Sequence, residues 1–96
     1  MAQSSFMKES EFFAAEIQNQ LDKVLASPNR GVKQAGFQVL VGASMPNVLI
    51  EAGFLSNDTE GKLLSHTKYR KKIAEAIFIS LVNFKDKYES NIIGEE

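Results

Sequence analysis

Two short apolar segments constrain the fold of this chain more than any other feature. Residues 36–42 and 47–51 are rich in valine, leucine and isoleucine, and glycine or proline lies next to each of them, a pattern typical of buried β-strands. Only residues 43–46 separate the two segments, whereas a parallel crossover needs roughly a dozen residues or more. We therefore expect two strands that are antiparallel if they are neighbours.

Three amphipathic helices are predicted around these strands. The first spans about residues 5–26 and ends before Pro28, because the residue preceding a proline is pushed out of the α region. The second begins after Asn57, which with Glu60 forms a capping-box pattern. The third follows Thr67 and carries one apolar stripe. The stripe consists of Tyr69, Ile73, Ile77, Leu81, Phe84 and Tyr88, widened by Ala74 and Phe78.

The ratio of strands to helices indicates an incomplete sheet. Strands that are apolar on both faces belong in a sheet covered by helices on both sides, and a two-stranded sheet is marginal on its own. The sequence therefore predicts an α/β fold with a partial sheet of about two strands flanked by about three helices. The rest of the sheet would come from a missing segment or from another copy of the chain.

The composition excludes several classes of function. The chain has no cysteine, which excludes disulfides and thiolate metal sites, and one histidine, His66, which excludes a multi-histidine site within one copy. A net charge of -1 argues against a protein built mainly to hold nucleic acid. No apolar run approaches the length of a membrane span, and the first residues lack the pattern of an export signal.

Glu51 is the residue that fits its surroundings least well. It lies at the end of a segment that is expected to be buried, where an unpaired carboxylate is costly. In open α/β sheets, functional sites lie outside the strand ends. Glu51 is therefore a candidate catalytic residue, and the alternative is a glutamate that faces solvent or pairs with Arg30 or Lys33.

Two other polar features have plain structural interpretations. His66 lies between two predicted helices with no carboxylate three or four residues away, so we expect a cap or an exposed side chain rather than a metal ligand. The basic residues at positions 68–72 are expected to form a solvated helix face, with binding of an anion as the weaker alternative.

Two sequence runs resemble a known family. Residues 30–40 read RGVKQAGFQVL and residues 44–57 read SMPNVLIEAGFLSN, and together they resemble the C-terminal half of the zinc-dependent N-acetylmuramoyl-L-alanine amidases of bacterial cell walls. The resemblance covers nearly the whole chain. It implies hydrolysis of the amide between N-acetylmuramic acid and L-alanine in peptidoglycan, with Glu51 matching the essential glutamate and acting as general base. Arg30 and Asn57 match nearby positions and are expected to support loops or substrate.

The resemblance also implies what the chain lacks. The family holds its catalytic zinc with two histidines and a glutamate from the N-terminal half of the domain, and His66 matches none of these ligands. Residues 1–96 are therefore expected to be the C-terminal portion of a larger three-layer α/β amidase domain, with no metal ligand in this chain. We expect the chain alone to bind no zinc and to be inactive, and we expect the parent protein to work in the periplasm or at the cell wall.

A different class of function stays open from the residues alone. Unpaired strand edges and apolar helix faces favour association with another chain. The alternative prediction is therefore a non-catalytic module that self-associates through exposed strand edges. Neither the amidase interpretation nor the self-association interpretation involves a nucleic-acid partner or a membrane span.

Overall fold

Three α-helices dominate the part that the structure, a computed structural model, describes: residues 6–26, 31 and 44–95. Helix α1 spans Met7–Leu21, α2 spans Asp58–Leu64 and α3 spans Thr67–Glu95. Residues 22–24 form a turn, so α1 is shorter than the predicted 5–26. Within these ranges no helix combines the length and apolar content that crossing a membrane requires.

The prediction of a partial sheet flanked by helices is wrong for the described residues. Residues 47–51 form no strand, and no sheet is present in the ranges given above. A strand is defined by hydrogen bonds to a neighbouring strand, and apolar composition alone does not supply that neighbour. The other predicted strand, 36–42, lies outside the described residues.

The core lies between α1 and α3. Ile17 and Leu21 of α1 are buried against Ile73 and Ala76 of α3, and burial of each large aliphatic side chain is worth about 1.5–3 kcal/mol. Ser80, fully buried, lies at the same contact, where its hydroxyl donates to the carbonyl of Ala76 at 2.7 Å. A small residue here lets the two helices approach closely.

Aromatic residues extend this core toward the C-terminal end of α3. The rings of Phe13 and Phe84 stack with centroids 4.6 Å apart, and Tyr88 lies 5.6 Å from Phe84. The predicted stripe on α3 is thus confirmed for Ile73 and Phe84. Leu81 and Phe78 are 49% and 64% exposed, and Ala74 is exposed as well. Their predicted place in the stripe that packs on the core was therefore wrong, because α1 covers only one side of α3.

Candidate functional site

Segment 46–54, which carries Glu51, lies against the α1–α3 core. Its side chains alternate: Val48, Ile50 and Ala52 pack on the core, whereas Leu49 and Glu51 are exposed. This two-residue alternation is that of an extended chain with one buried face. Glu51 therefore faces solvent between two residues that pack on the core. This exposure is what the alternative interpretation predicted, and the expectation that the carboxylate lies at a buried strand end is wrong.

Hydrogen bonds hold the segment on both sides of Glu51. The backbone N–H of Asn47 donates to the Ser10 hydroxyl of α1 at 2.9 Å. The backbone N–H of Phe54 donates to the carboxylate of Glu60 at 2.9 Å. Since Glu60 is only 6% exposed, this second bond is shielded from water and fixes the segment to α2. The carboxylate of Glu51 is thus presented from a backbone held at two points.

Asn57 begins α2 as its N-cap, as the sequence predicts. Its side-chain oxygen accepts a hydrogen bond from the Glu60 N–H at 3.0 Å, and its own N–H donates to the Phe54 carbonyl at 3.1 Å. These contacts satisfy a backbone donor that the helix leaves open and tie the cap to the end of segment 46–54. A contact between Asn57 and substrate stays a prediction.

Two residues proposed near Glu51 lie outside the described residues. They are Arg30, expected to support a loop or substrate, and Lys33, considered as an ion-pair partner. The pairing of Glu51 with either of them is therefore not observed here. Within the described residues, the surroundings of Glu51 come from its own segment and the helices beneath it.

The junction between α2 and α3 accounts for His66 and for part of the basic cluster. His66 is exposed, and its backbone N–H donates to the Leu63 carbonyl at 3.0 Å. The guanidinium of Arg70 donates to the Leu64 carbonyl at 2.8 Å and to the Thr67 hydroxyl at 3.2 Å. Arg70 therefore links the end of α2 to the start of α3. These contacts agree with the interpretation of the region as structural rather than ligand-binding.

The described residues do not fit the zinc site that the resemblance implies. They contain no group of three or more histidine, aspartate or glutamate side chains placed to hold a metal ion. A catalytic zinc needs three protein ligands and an open position. Since both His66 and Glu51 are exposed, neither belongs to a preformed ligand set in this part of the chain.

Sequence reasoning did not identify the second role of Glu60. The capping-box pattern predicts that the backbone of Glu60 is capped by Asn57, which is observed. It gives no indication that the Glu60 carboxylate accepts from Phe54. The residues on either side of Glu60, Thr59 and Gly61, are not the large apolar residues that would indicate a buried position.

Comparison with known proteins identifies the family. A family model described as N-acetylmuramoyl-L-alanine amidase matches residues 1–83. A putative N-acetylmuramoyl-L-alanine amidase of Buchnera aphidicola is 36% identical over 90 residues, which is 93% of this chain and 39% of the relative. The N-acetylmuramoyl-L-alanine amidase AmiA of Salmonella typhimurium is 32% identical over 84 residues, 88% of this chain and 29% of the relative.

A further relative carries no functional name. The uncharacterized protein YqiI of Bacillus subtilis is 36% identical over 78 residues, which is 81% of this chain and 38% of the relative. The chain thus spans less than two-fifths of the length of these three relatives, and no solved structure matches it significantly. Because the family match covers most of the sequence, including the run 44–57 that contains Glu51, the chain belongs to the N-acetylmuramoyl-L-alanine amidase family.

Proposed function

We propose that this chain is the Glu51-bearing portion of a peptidoglycan amidase that hydrolyses the bond between N-acetylmuramic acid and L-alanine. The family match and the names of the Buchnera and Salmonella relatives support this reaction. A further relative, from Bacillus anthracis, is named as a cell wall amidase. These names support a site of action at the cell wall, in the periplasm or outside the cell.

The solvent exposure of Glu51, together with the fixed backbone on both sides of it, is the main support for this proposal. A general base must reach its substrate, so it needs an accessible carboxylate on a backbone that does not move away. Glu51 is exposed, Ile50 and Ala52 on either side of it pack on the core, and Asn47 and Phe54 are hydrogen-bonded to the helices. Glu51 is the one carboxylate in the family-matching run 44–57.

The chemistry assigned to Glu51 is proton transfer. Its carboxylate would accept a proton from the water that attacks the amide carbonyl, and would then donate that proton to the leaving amine of L-alanine. Amines are poor leaving groups until they are protonated. A single carboxylate can therefore take the proton from water and supply it to the amine. Such general acid–base catalysis contributes roughly 10²–10⁴-fold to the rate.

Zinc enters this proposal only through ligands outside the described residues. The described residues hold no suitable cluster, and so no step of the reaction is assigned to a metal here. We propose that the described part of the chain contributes the base and that the metal ligands are supplied elsewhere in the domain.

The test is a chimeric amidase in which residues 1–96 replace the matching region of Salmonella AmiA. Release of the L-alanine peptide from a purified muropeptide measures activity, with Glu51→Gln compared with the unchanged chimera. We expect a loss of about 100-fold or more in kcat with little change in KM, because glutamine cannot accept the proton.

The control is Glu11→Gln, the same change at an exposed position on α1. We expect this variant to retain full activity. Near-normal turnover of Glu51→Gln would remove Glu51 from the mechanism. A folded chimera that binds muropeptide but cleaves none would argue against the amidase reaction for this chain.

A further inference from the structure

Helix α3 has a second face, on the side that points away from the α1–α3 core. Six residues on it follow one another at alternating intervals of four and three positions. All six are exposed, and we call them the outer seam. The outer seam consists of Lys71, Glu75, Phe78, Val82, Lys85 and Glu89.

The outer seam lies on the side of α3 opposite to α1. The residues that α1 covers include Ile73, Ala76 and Ser80, which lie about half a helical turn away from the seam. At its centre Phe78 is 64% exposed and Val82 is 40% exposed. Within the described residues, no element covers these two apolar side chains.

The spacing of the outer seam is that of a coiled-coil interface. Alternating steps of four and three residues produce the a and d positions of a heptad, which meet a partner helix along one line. Here the central positions are apolar and the outer positions are charged. A partner for this seam must therefore offer apolar groups at its centre and opposite charges at its ends.

We propose that the partner is a second copy of this chain, with the two α3 helices antiparallel and related by a two-fold axis at the level of Ser80. In that arrangement each a position faces a d position of the other helix. The facing pairs are Lys71 with Glu89, Glu75 with Lys85, and Phe78 with Val82. Every charged position of the seam thus meets the opposite charge, and the two apolar layers meet at the axis.

The positions that flank the seam agree with the same axis. Ile79 and Leu81 flank the seam and are 46% and 49% exposed. In the antiparallel arrangement Ile79 lies beside Ile79 of the other copy, and Leu81 lies beside Leu81 of the other copy. Farther out, Lys72 faces Asp86. A parallel pair of helices would instead place like charges together along the seam, which is unfavourable. The charge pattern therefore selects the antiparallel arrangement.

Formation of this interface requires little rearrangement. Lys85 and Glu89 are paired within α3 at 3.1 Å, but both side chains are more than half exposed, and such surface pairs contribute little. The free-energy cost of replacing the Lys85–Glu89 pair within α3 by pairs across the axis is therefore small. The seam is about 28 Å long, at the small end of specific interfaces, so we expect a dimer that dissociates on dilution.

The experiment is sedimentation velocity on the 96-residue chain over a range of micromolar concentrations. Two variants test the pairing: an acidic one with Lys71→Glu and Lys85→Glu, and a basic one with Glu75→Lys and Glu89→Lys. Each variant alone has four like charges along its seam. We expect the dissociation constant of each to rise at least tenfold, and an equimolar mixture of the two to restore dimers because the seams are again complementary.

A control for the acidic variant carries Lys8→Glu and Lys62→Glu, the same change in net charge as in that variant but at exposed positions outside α3. We expect it to dimerise like the unchanged chain, and circular dichroism shows whether all variants keep their helices. A wild-type chain that stays monomeric up to several hundred micromolar would overturn the proposal and leave the seam to another protein. Dimers that persist in both single variants, or a mixture that fails to dimerise, would overturn it as well.

Discussion

The carboxylate of Glu60 accepts a hydrogen bond from the backbone N–H of Phe54 at 2.9 Å, three residues beyond Glu51. Glu60 is buried at the start of α2, so one side chain links the helix to the segment that presents the proposed general base. The backbone of Glu60 is in turn capped by Asn57. The family-matching run 44–57 and α2 therefore behave as one structural unit.

Replacement of Glu60 tests this link. We expect Glu60→Ala to lower the free energy of unfolding by about 1–3 kcal/mol, because a buried hydrogen bond to a charged acceptor is lost. Glu60→Gln keeps an oxygen acceptor and should cost less. Urea unfolding followed by circular dichroism measures both, with Glu11→Ala as an exposed control.

Limited proteolysis gives a local readout of the same change. Loss of the bond should increase the cleavage rate within segment 46–54 more than the global stability change accounts for. If Glu60→Ala matches the control in both stability and cleavage, the Phe54 contact does not hold the segment.

Gly61 allows the loop before α2 to pass close to the helix. A Cβ at this position would lie 2.7 Å from the carbonyl oxygen of Leu55, which is closer than such atoms can approach. Alanine is favoured over glycine within helices by about 1 kcal/mol, yet we expect Gly61→Ala to destabilise the chain by about 1 kcal/mol, because forced overpacking typically costs more.

The comparison for this variant is Lys62→Ala in the same helix. Lys62 is exposed, so its replacement should change the free energy of unfolding by no more than about 0.5 kcal/mol. Thermal and urea unfolding of the two variants measure the difference. A Gly61→Ala variant as stable as the unchanged chain would mean that the loop shifts without cost.

Zinc binding by the chain alone is a third prediction. After chelation, reloading with zinc and gel filtration, we expect less than stoichiometric metal, because the described residues bring no three ligands together. One tightly bound zinc per chain would contradict this. A loss of that zinc in His66→Ala would then identify His66 as a ligand.

The helices were predictable because their signals are local. The apolar spacing on α1 and α3 and the cap at Asn57 involve residues within a turn or two of one another. Glu51 was singled out by a local contrast between a carboxylate and its apolar neighbours, but the burial that this contrast implied is not observed, and its catalytic role stays a prediction. These inferences required no knowledge of which distant segments meet.

Two features that were not predicted correctly depend on distant partners. Residues 47–51 form no strand because no neighbouring strand pairs with them in the described residues, although Val48, Ile50 and Ala52 keep the alternating burial of one. Leu81 is exposed because α1 covers only one side of α3. Apolar composition indicates that a residue can be buried, but the neighbouring element decides whether it is.

Glu16 couples the α1–α3 contact to pH. Its carboxylate accepts hydrogen bonds from the Asn83 amide at 3.0 Å and from the Gln20 amide at 3.2 Å. These bonds, with that from Asn83 the larger cause, lower the pKa of Glu16; Lys87 and Lys23 act in the same direction, and partial burial opposes them. The ionised form is thus favoured in the folded state.

The sign of the pH dependence follows from this lowered pKa. Glu16 stabilises the fold fully above the ordinary glutamate pKa of about 4.3, and this contribution is lost as the pH falls through the lower folded-state pKa. Asn83→Ala removes the main cause. We expect it to cost about 1 kcal/mol or less near pH 7, since the site is partly exposed, and the difference from the unchanged chain should shrink steadily below pH 4.

Urea unfolding at several values between pH 3 and pH 7 measures this difference. Glu16→Gln serves as the control, because it removes the titrating group and should flatten the acid-side slope whether or not Asn83 is present. If Asn83→Ala loses the same stability at pH 3 as at pH 7, the Asn83 amide acts only through packing. The hydrogen bond to Glu16 would then have no part in holding α3 against α1.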